Sequence, residues 1–296
     1  MVYYYFEKGA LVEANTTAEK RKFKLTDDEL SQWNDNGYFV RHNVFTKEEN
    51  AEIAQIADDI VDGKRVFPEY HIFKNALVID GKVEAEGIHA MHNIQYVSCN
   101  CKEFLDRTRD PRLTDPVVDI LGPDLLGLNN LYIWKPPKLG LGFPWHQDKW
   151  YFNHQYKTGM TVATWTAIDD ADIENGCLYV VPGSHKGGVR DHEKLEGYQQ
   201  GEFRQAQGVR DEDGVPVEIP AGSVIWFNSQ VLHKSTDNQS ERFRRCNVAH
   251  YIKATTEWTR PEAVNIKRPP MYIRGKTYPG MANEVQHDVI PIIEDD

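Results

Sequence analysis

Cysteine is scarce: the 296 residues hold four, Cys99, Cys101, Cys177 and Cys246, and no two stand in Cys-x-x-Cys spacing. That excludes a disulfide framework and a structural zinc ribbon. The Cys99-Asn100-Cys101 pair offers two soft donors, but free thiols more often simply pack. A reducing cytoplasm is the expected compartment. Long apolar runs are missing as well. No stretch approaches the roughly 18 uninterrupted apolar residues of a membrane span, so no membrane partner is expected. The opening Met1-Val2-Tyr3-Tyr4-Tyr5-Phe6-Glu7-Lys8 carries neither a basic leader nor a small-residue cleavage site, and no secretory signal is read there. Positive charge is in deficit, 34 Lys and Arg against 45 Asp and Glu, for a net −11. The cationic runs, Lys20-Arg21-Lys22 and Arg242 to Arg245, are short and have acidic neighbours. No nucleic-acid partner is expected, because such partners need clustered cations to displace phosphate counterions. Oligomeric state is not legible.

What is present is an ordinary globular composition, 40% hydrophobic and 11% aromatic, too apolar for a disordered chain. A chain of this length can bury roughly 75% of its unfolded surface, and needs no staples. The first part, 1–130, reads as mostly helical. Thr26-Asp27-Asp28-Glu29 and Thr46-Lys47-Glu48-Glu49 both have capping-box form, and Gly37 is placed to end the first helix. Ile53, Ile56, Ala57, Ile60 and Val61 recur at helical spacing, and Leu113 to Leu121 forms a further short helix. Tyr38-Phe39-Val40 between them is strand-like. From Leu131 the pattern changes to short strands rich in β-branched and aromatic residues: Leu131–Trp134, Val162–Ile168, Cys177–Val181, Ser223–Phe227 and Asn247–Ile252. Turn residues separate them, which points to a sandwich or barrel rather than a parallel sheet. The polar, Gly-rich stretch 186–217 reads as a long excursion and a candidate lid, with a surface insertion as the alternative. The expected organisation is one domain over 1–296, with a helical flank (1–130), a β core (131–255) and a C-terminal extension (256–296).

The chemistry concentrates in Phe143-Pro144-Trp145-His146-Gln147-Asp148-Lys149-Trp150. On a strand, His146 and Asp148 emerge from one face, offering an imidazole and a carboxylate to a metal. A second His completes the two-His, one-carboxylate triad that holds Fe(II) with positions left open. Alone, His-x-Asp is a weak signal, and a hydrogen-bonded strand-end His is the better reading of it. His233 follows the strand Ser223–Phe227 and stands where it can close on such a metal. Eleven residues on, Arg244 offers a planar fork suited to a carboxylate in a partly buried site. Arg242 and Arg245 read as solvated charges, but without a fixed register the faces of the three arginines stay open.

Taken together, three segments resemble the phytanoyl-CoA dioxygenase family. They are His146-Gln147-Asp148, Asn175-Gly176-Cys177-Leu178-Tyr179-Val180-Val181-Pro182-Gly183-Ser184-His185-Lys186, and His233-x-Ser235-x-x-Asn238-x-Ser240 with Arg244. They lie in order within Leu131 to Lys253. The resemblance implies a double-stranded β-helix, a jelly-roll and cupin relative with flanking helices. It also implies an iron(II)- and 2-oxoglutarate-dependent oxygenase that uses O2 on a small-molecule substrate. It assigns His146, Asp148 and His233 to iron, Arg244 to the distal carboxylate of 2-oxoglutarate, Ser235 to a hydroxyl donation there, and Trp165 to a wall of that pocket.

Other residues have plainer readings. His185 competes as a third metal ligand, but its turn is structural in the family. His250, between Val248 and Ile252, reads as packed core, while His154, His192 and His287 carry no partner pattern. Trp145, Trp150, Tyr151 and Phe152 either floor a substrate pocket or pack the core. Lys135, before Pro136-Pro137, matches a recurrent family lysine of unassigned role. Halogenating relatives lack the carboxylate, so Asp148 favours hydroxylation. Lys149-Trp150-Tyr151-Phe152-Asn153 departs from the ectoine hydroxylase motif, and no basic surface or phosphate-cradling loop argues for a CoA thioester. The rival readings are a non-catalytic β-helix ligand-binding protein and a cupin-type metalloenzyme without 2-oxoglutarate.

Overall fold

The computed structural model describes residues 21–153, 159–195, 204–257 and 270–278. Strands and helices are numbered along the chain. A large antiparallel sheet runs Tyr38–Arg41 (β1), Val224–Asn228 (β11), Val162–Ala167 (β6), Arg244–Lys253 (β13), Leu125–Lys135 (β4), Met91–Gln95 (β3), Ile72–Lys74 (β2), and Met271–Arg274 (β14) also pairs with β4. A smaller sheet runs Val215–Val217 (β10), Leu178–Val180 (β7), His233–Ser235 (β12), Phe143–His146 (β5), and a separate hairpin joins His192–Lys194 (β8) to Arg204–Ala206 (β9). The helices are Asp27–Asn36 (α1), Lys47–Val61 (α2), Ala76–Ile79 (α3), Val97–Asn100 (α4), Lys102–Arg109 (α5), Pro111–Leu121 (α6) and Asp148–Phe152 (α7). None of the described helices is long and apolar enough to cross a membrane.

Alternation along the strands divides the core into layers. On β11, Ile225 and Phe227 face the small sheet, where they meet Trp165 of β6, Val180 of β7 and Val217 of β10. Val224 and Trp226 face the other way, onto Trp33 of α1, Leu113 and Val117 of α6, and Phe39 of β1. Phe39 stacks on Trp226 with centroids 5.0 Å apart. Two sheets face to face with helices outside the larger one is the jelly-roll arrangement that the strand grammar predicted. Both capping boxes form, and Gly37 closes α1 in the left-handed region at φ 83°.

Two sequence boundaries need revision. The helical flank also supplies β1, β2 and β3, which extend the large sheet at both edges, and β4 begins at Leu125 rather than Leu131. The stretch 186–217 is not all excursion. Val215-Pro216-Val217 pairs with β7 and is buried at Val217, a strand too short to announce itself by pattern. Its other described parts include the β8–β9 hairpin and a 3-10 turn at Asp211–Asp213, while 196–203, with Gly197 and Gly201, lie outside the described residues.

Candidate metal centre and its pocket

The small sheet brings the two candidate ligand histidines together. In the antiparallel pairing of β12 with β5, His233 stands directly opposite His146, and their rings lie 4.1 Å apart. Each ring is aimed by its Nδ1, which sits against a main-chain carbonyl: Pro144 at 2.8 Å for His146 and Val231 at 3.0 Å for His233. That leaves both Nε2 atoms facing the same point, the arrangement in which an outer contact fixes a metal-binding imidazole. Asp148 reaches the same point by a different route from the one the sequence suggested. The strand stops at His146; Gln147 is extended (φ −128°, ψ 123°), and Asp148 is the first residue of α7. The extended Gln147 preserves the two-residue alternation, so Asp148 still shares the face of His146. Its Oδ1 lies 3.5 Å from Nε2 of His146 and 3.6 Å from Nε2 of His233. Among the described residues these three are the one His/Cys/Asp/Glu group whose donor atoms converge, all within 4.8 Å of one another.

The electrostatics suit a cation. Burial, then the neighbouring His146, holds His233 down to about 4, so its imidazole is neutral at physiological pH and has a lone pair to give. Burial alone would raise the Asp148 carboxyl, but His233, His250 and the hydrogen bonds from His146 and His250 outweigh it and hold the group well below the usual carboxylate range. Two imidazole nitrogens and one carboxylate converging on one point fit a divalent transition metal, and Fe(II) in particular when positions stay open.

A cavity of about 100 Å³ joins this triad to Arg244. Strand alternation decides among the three arginines. Arg244 on β13 points inward with Cys246 and Val248, whereas Arg245 points outward and forks onto Asp169 with two contacts of 2.8 Å. Arg242 is half-exposed and pairs with Asp172 at 2.6 Å. The expectation of a solvated Arg245 is therefore corrected: it is partly buried and salt-bridged. Arg244 is 1% exposed, lies over the Trp165 ring at 5.5 Å and donates Nη1 to Cys246 Sγ at 3.1 Å. Its Nε is buried without a partner, and no carboxylate among the described residues pairs with it. A guanidinium so placed can pair with a carboxylate.

Ser235 lines the same cavity. It shares the inward face of β12 with His233, while Lys234 points out to Asp211 at 2.5 Å. Its Oγ receives the Lys135 ammonium at 2.8 Å and the Phe143 N–H at 3.3 Å. With both lone pairs taken, the hydroxyl proton is left to donate into the cavity. Lys135, cross-strand neighbour of Arg244, is fully buried and also donates to the Thr236 carbonyl. Burial and then Arg244 push its ammonium well below the usual lysine range. The family lysine thus has a place behind the serine.

The remaining sequence readings resolve as follows. His185 packs against Gly37 and is not part of the converging group. His250 is buried as expected but faces Asp148 at 3.0 Å, which its strand pattern did not disclose. His192 does have partners: it accepts the Gln147 N–H at 3.1 Å and stacks on Trp150. Trp145 donates to Asp211 at 2.7 Å and Phe152 packs on Leu126, Leu128 and Ile252, so both are core residues. Tyr151 accepts from Arg204 N–H, tying α7 to the hairpin. Gln147, between the two ligands, was overlooked. It is 0% exposed and clasps Gly188 O, Gln230 O and Arg190 N at 2.6–2.8 Å. The four cysteines are free, and burial raises the thiols, Cys99 to about 12 and Cys101 to about 11, as idle packed side chains require. His154 and His287 lie outside the described residues.

The family model for phytanoyl-CoA dioxygenase matches residues 33–246. The chain belongs to the phytanoyl-CoA dioxygenase family. Members of this family are iron(II)- and 2-oxoglutarate-dependent oxygenases, and the matched span includes the triad, Ser235 and Arg244. A curated relative named "Phytanoyl-CoA dioxygenase, peroxisomal" from Rattus norvegicus is 26% identical over 91% of this chain and 83% of its own length. A Caenorhabditis elegans protein named "Probable phytanoyl-CoA dioxygenase" is 28% identical over 88% of this chain and 85% of its own. Among solved structures, EctD from S. alaskensis is similar with a TM-score of 0.65 and 18% identity over 93% of this chain and 91% of its own. EvdO2 from Micromonospora carbonacea, solved with 2-oxoglutarate, is similar at TM-score 0.60 and 18% identity over 87% of this chain and 97% of its own. At these identities the structural matches speak for the shared fold.

Proposed function

We propose that the protein binds Fe(II) through His146, Asp148 and His233, binds 2-oxoglutarate through Arg244 and Ser235, and oxidises an unactivated C–H bond of a small organic molecule, most simply to an alcohol. The observation that carries this reading is the single cavity lined by both a converging His-Asp-His group and a buried guanidinium without a carboxylate. Iron and 2-oxoglutarate, when bound, supply the oxidising power from O2, with succinate and CO2 as coproducts. The chain's own part is positioning and dehydration. Its two imidazoles present Nε2 atoms to one point, with Nδ1 of each against a main-chain carbonyl. Arg244 and Ser235 offer three or more hydrogens to the distal carboxylate, and Trp165 walls the guanidinium from solvent at 3% exposure. Ile133, Phe143, Leu178 and Phe227 add an apolar share to the lining, which disfavours water beside the reacting carbon.

The same reading treats the chain as one oxygenase domain, with β14 returning the C-terminal extension to β4. The presence of an inward Arg244 favours it over a cupin-type enzyme without 2-oxoglutarate, and the complete triad favours it over a non-catalytic binder. Metal titration of variants tests the ligand set. Mn(II), a redox-stable mimic, should bind the wild-type chain; His146→Ala, Asp148→Ala and His233→Ala should each abolish binding, and His185→Ala should leave it intact. Retained binding in His233→Ala with loss in His185→Ala would replace the third ligand. A screen of small-molecule pools for substrate-triggered succinate release then identifies the substrate.

A further inference from the structure

The two oxygens of Asp148 have different neighbours. Oδ1 faces the Nε2 atoms of His146 and His233, while Oδ2 lies 3.0 Å from Nε2 of His250. The other nitrogen of that ring, Nδ1, sits 3.2 Å from the Asn129 carbonyl oxygen. A β-bulge creates this contact. Along β13 and β4, Ala249 pairs with Asn130 and Tyr251 with Gly127, so Leu128 and Asn129 together stand opposite His250 alone. Such an extra residue re-aims the groups around it. Phe152, from the same short helix as Asp148, packs edge-on against the ring at 5.0 Å. The ring is 4% exposed, so water does not compete for Oδ2.

We propose that His250 is a positioning residue of the metal centre: by donating from Nε2 to Oδ2 it holds Asp148 to a single metal-facing oxygen, Oδ1. The inference rests on Asp148 being a metal ligand, as proposed above. Its consequence is chemical. A carboxylate that swung to give both oxygens would occupy an additional coordination position, one that a chelating keto acid or O2 needs. The carboxylate is the stronger acceptor of the two oxygens facing the ring, which sets Nε2 as the protonated nitrogen for that bond. The bulge and the edge-on Phe152 orient the ring by packing.

Glutamine can set an amide N–H near the position of the imidazole Nε2; asparagine is too short for that, and leucine fills the space without a donor. The experiment measures Mn(II) affinity, the Co(II) visible spectrum and metal-free thermal unfolding for His250→Gln, His250→Asn and His250→Leu beside the wild type and Asp148→Ala. Loss of an outer-shell partner costs roughly 10–100-fold in metal affinity, so His250→Leu and His250→Asn should weaken Mn(II) by about that factor and alter the Co(II) spectrum. His250→Gln should recover most of the affinity and the wild-type spectrum, whatever its unfolding temperature. Wild-type affinity and spectrum in His250→Leu, with binding lost in Asp148→Ala, would overturn the role of His250 and leave the ligand set standing. Should the leucine variant not fold, equal affinities for the glutamine and asparagine variants overturn it just as well. Wild-type affinity in Asp148→Ala would instead remove the ligand assignment, and this inference with it.

Discussion

Arg244→Met removes the guanidinium while keeping much of its volume. In the chain without cosubstrate, Arg244 is 1% exposed, donates to the Cys246 sulfur and lies over the Trp165 ring. Burial lowers its hold on the proton, a sign of the free energy that the desolvated cation costs. A bound carboxylate offsets that cost; without Arg244 the same carboxylate enters a dehydrated pocket unpaired. Truncating one member of such a pair costs roughly 2–5 kcal/mol, or about 30-fold to several-thousand-fold in affinity. Isothermal titration of Mn(II)-loaded protein with 2-oxoglutarate should read that loss. Arg244→Lys, which keeps the charge and loses the fork, should recover part of it. Thermal unfolding should move oppositely: without 2-oxoglutarate the methionine variant is at least as stable as wild type, and 2-oxoglutarate no longer raises its unfolding temperature. Arg245→Ala, on the outer face, should lower stability through its lost Asp169 fork and leave the 2-oxoglutarate affinity alone. A weaker affinity in Arg245→Ala than in Arg244→Met, or no change in either, would refute this reasoning.

Two further outcomes are expected. The unfolded chain protonates His233 near 6.5 while the folded chain resists until about 4, so stability from this group is complete above 6.5 and lost as pH falls toward 4. The difference amounts to roughly 3 kcal/mol. Metal-free thermal unfolding should therefore decline across that window and decline less in His233→Asn; equal declines would contradict the assignment. Gln147→Leu strands the Gly188 and Gln230 carbonyls and the Arg190 N–H, each worth roughly 1–3 kcal/mol when left buried and unpaired. Limited proteolysis in the segment after Gly188 should accelerate, and an unchanged cleavage rate would mean that Gln147 does not anchor it.

Much of this site was legible because its parts are local in sequence or repeat a strand's period. The two capping boxes and the strand at Tyr38 each depend on neighbours within four residues, and each forms as expected; the His-x-Asp pair shares a face as read, but with Asp148 opening a helix instead of continuing the strand. Arg244 was legible through its spacing from His233, but its inward direction was not, since that depends on the register of β13 against β6 and β4. His250 shows the limit most clearly. Its strand position predicts burial, which is correct, yet its partner is 102 residues away on a helix start, and a bulge in β4 holds its other face. Gln147 escaped notice because its three partners are backbone groups, which no side-chain pattern records. The strand β10 was missed because three residues carry too little alternation to stand out from a polar stretch.

The central claim is that one cavity takes both Fe(II) and 2-oxoglutarate. Its most direct test is anaerobic mixing of the metal-free chain with Fe(II) and 2-oxoglutarate under argon, with the visible spectrum recorded as the keto acid is titrated. A weak charge-transfer band should grow with the keto acid and saturate. It should be absent in His146→Ala and Asp148→Ala, and should require far more 2-oxoglutarate in Arg244→Met. A wild-type chain that binds Fe(II) and gives no band at any 2-oxoglutarate concentration would contradict the account.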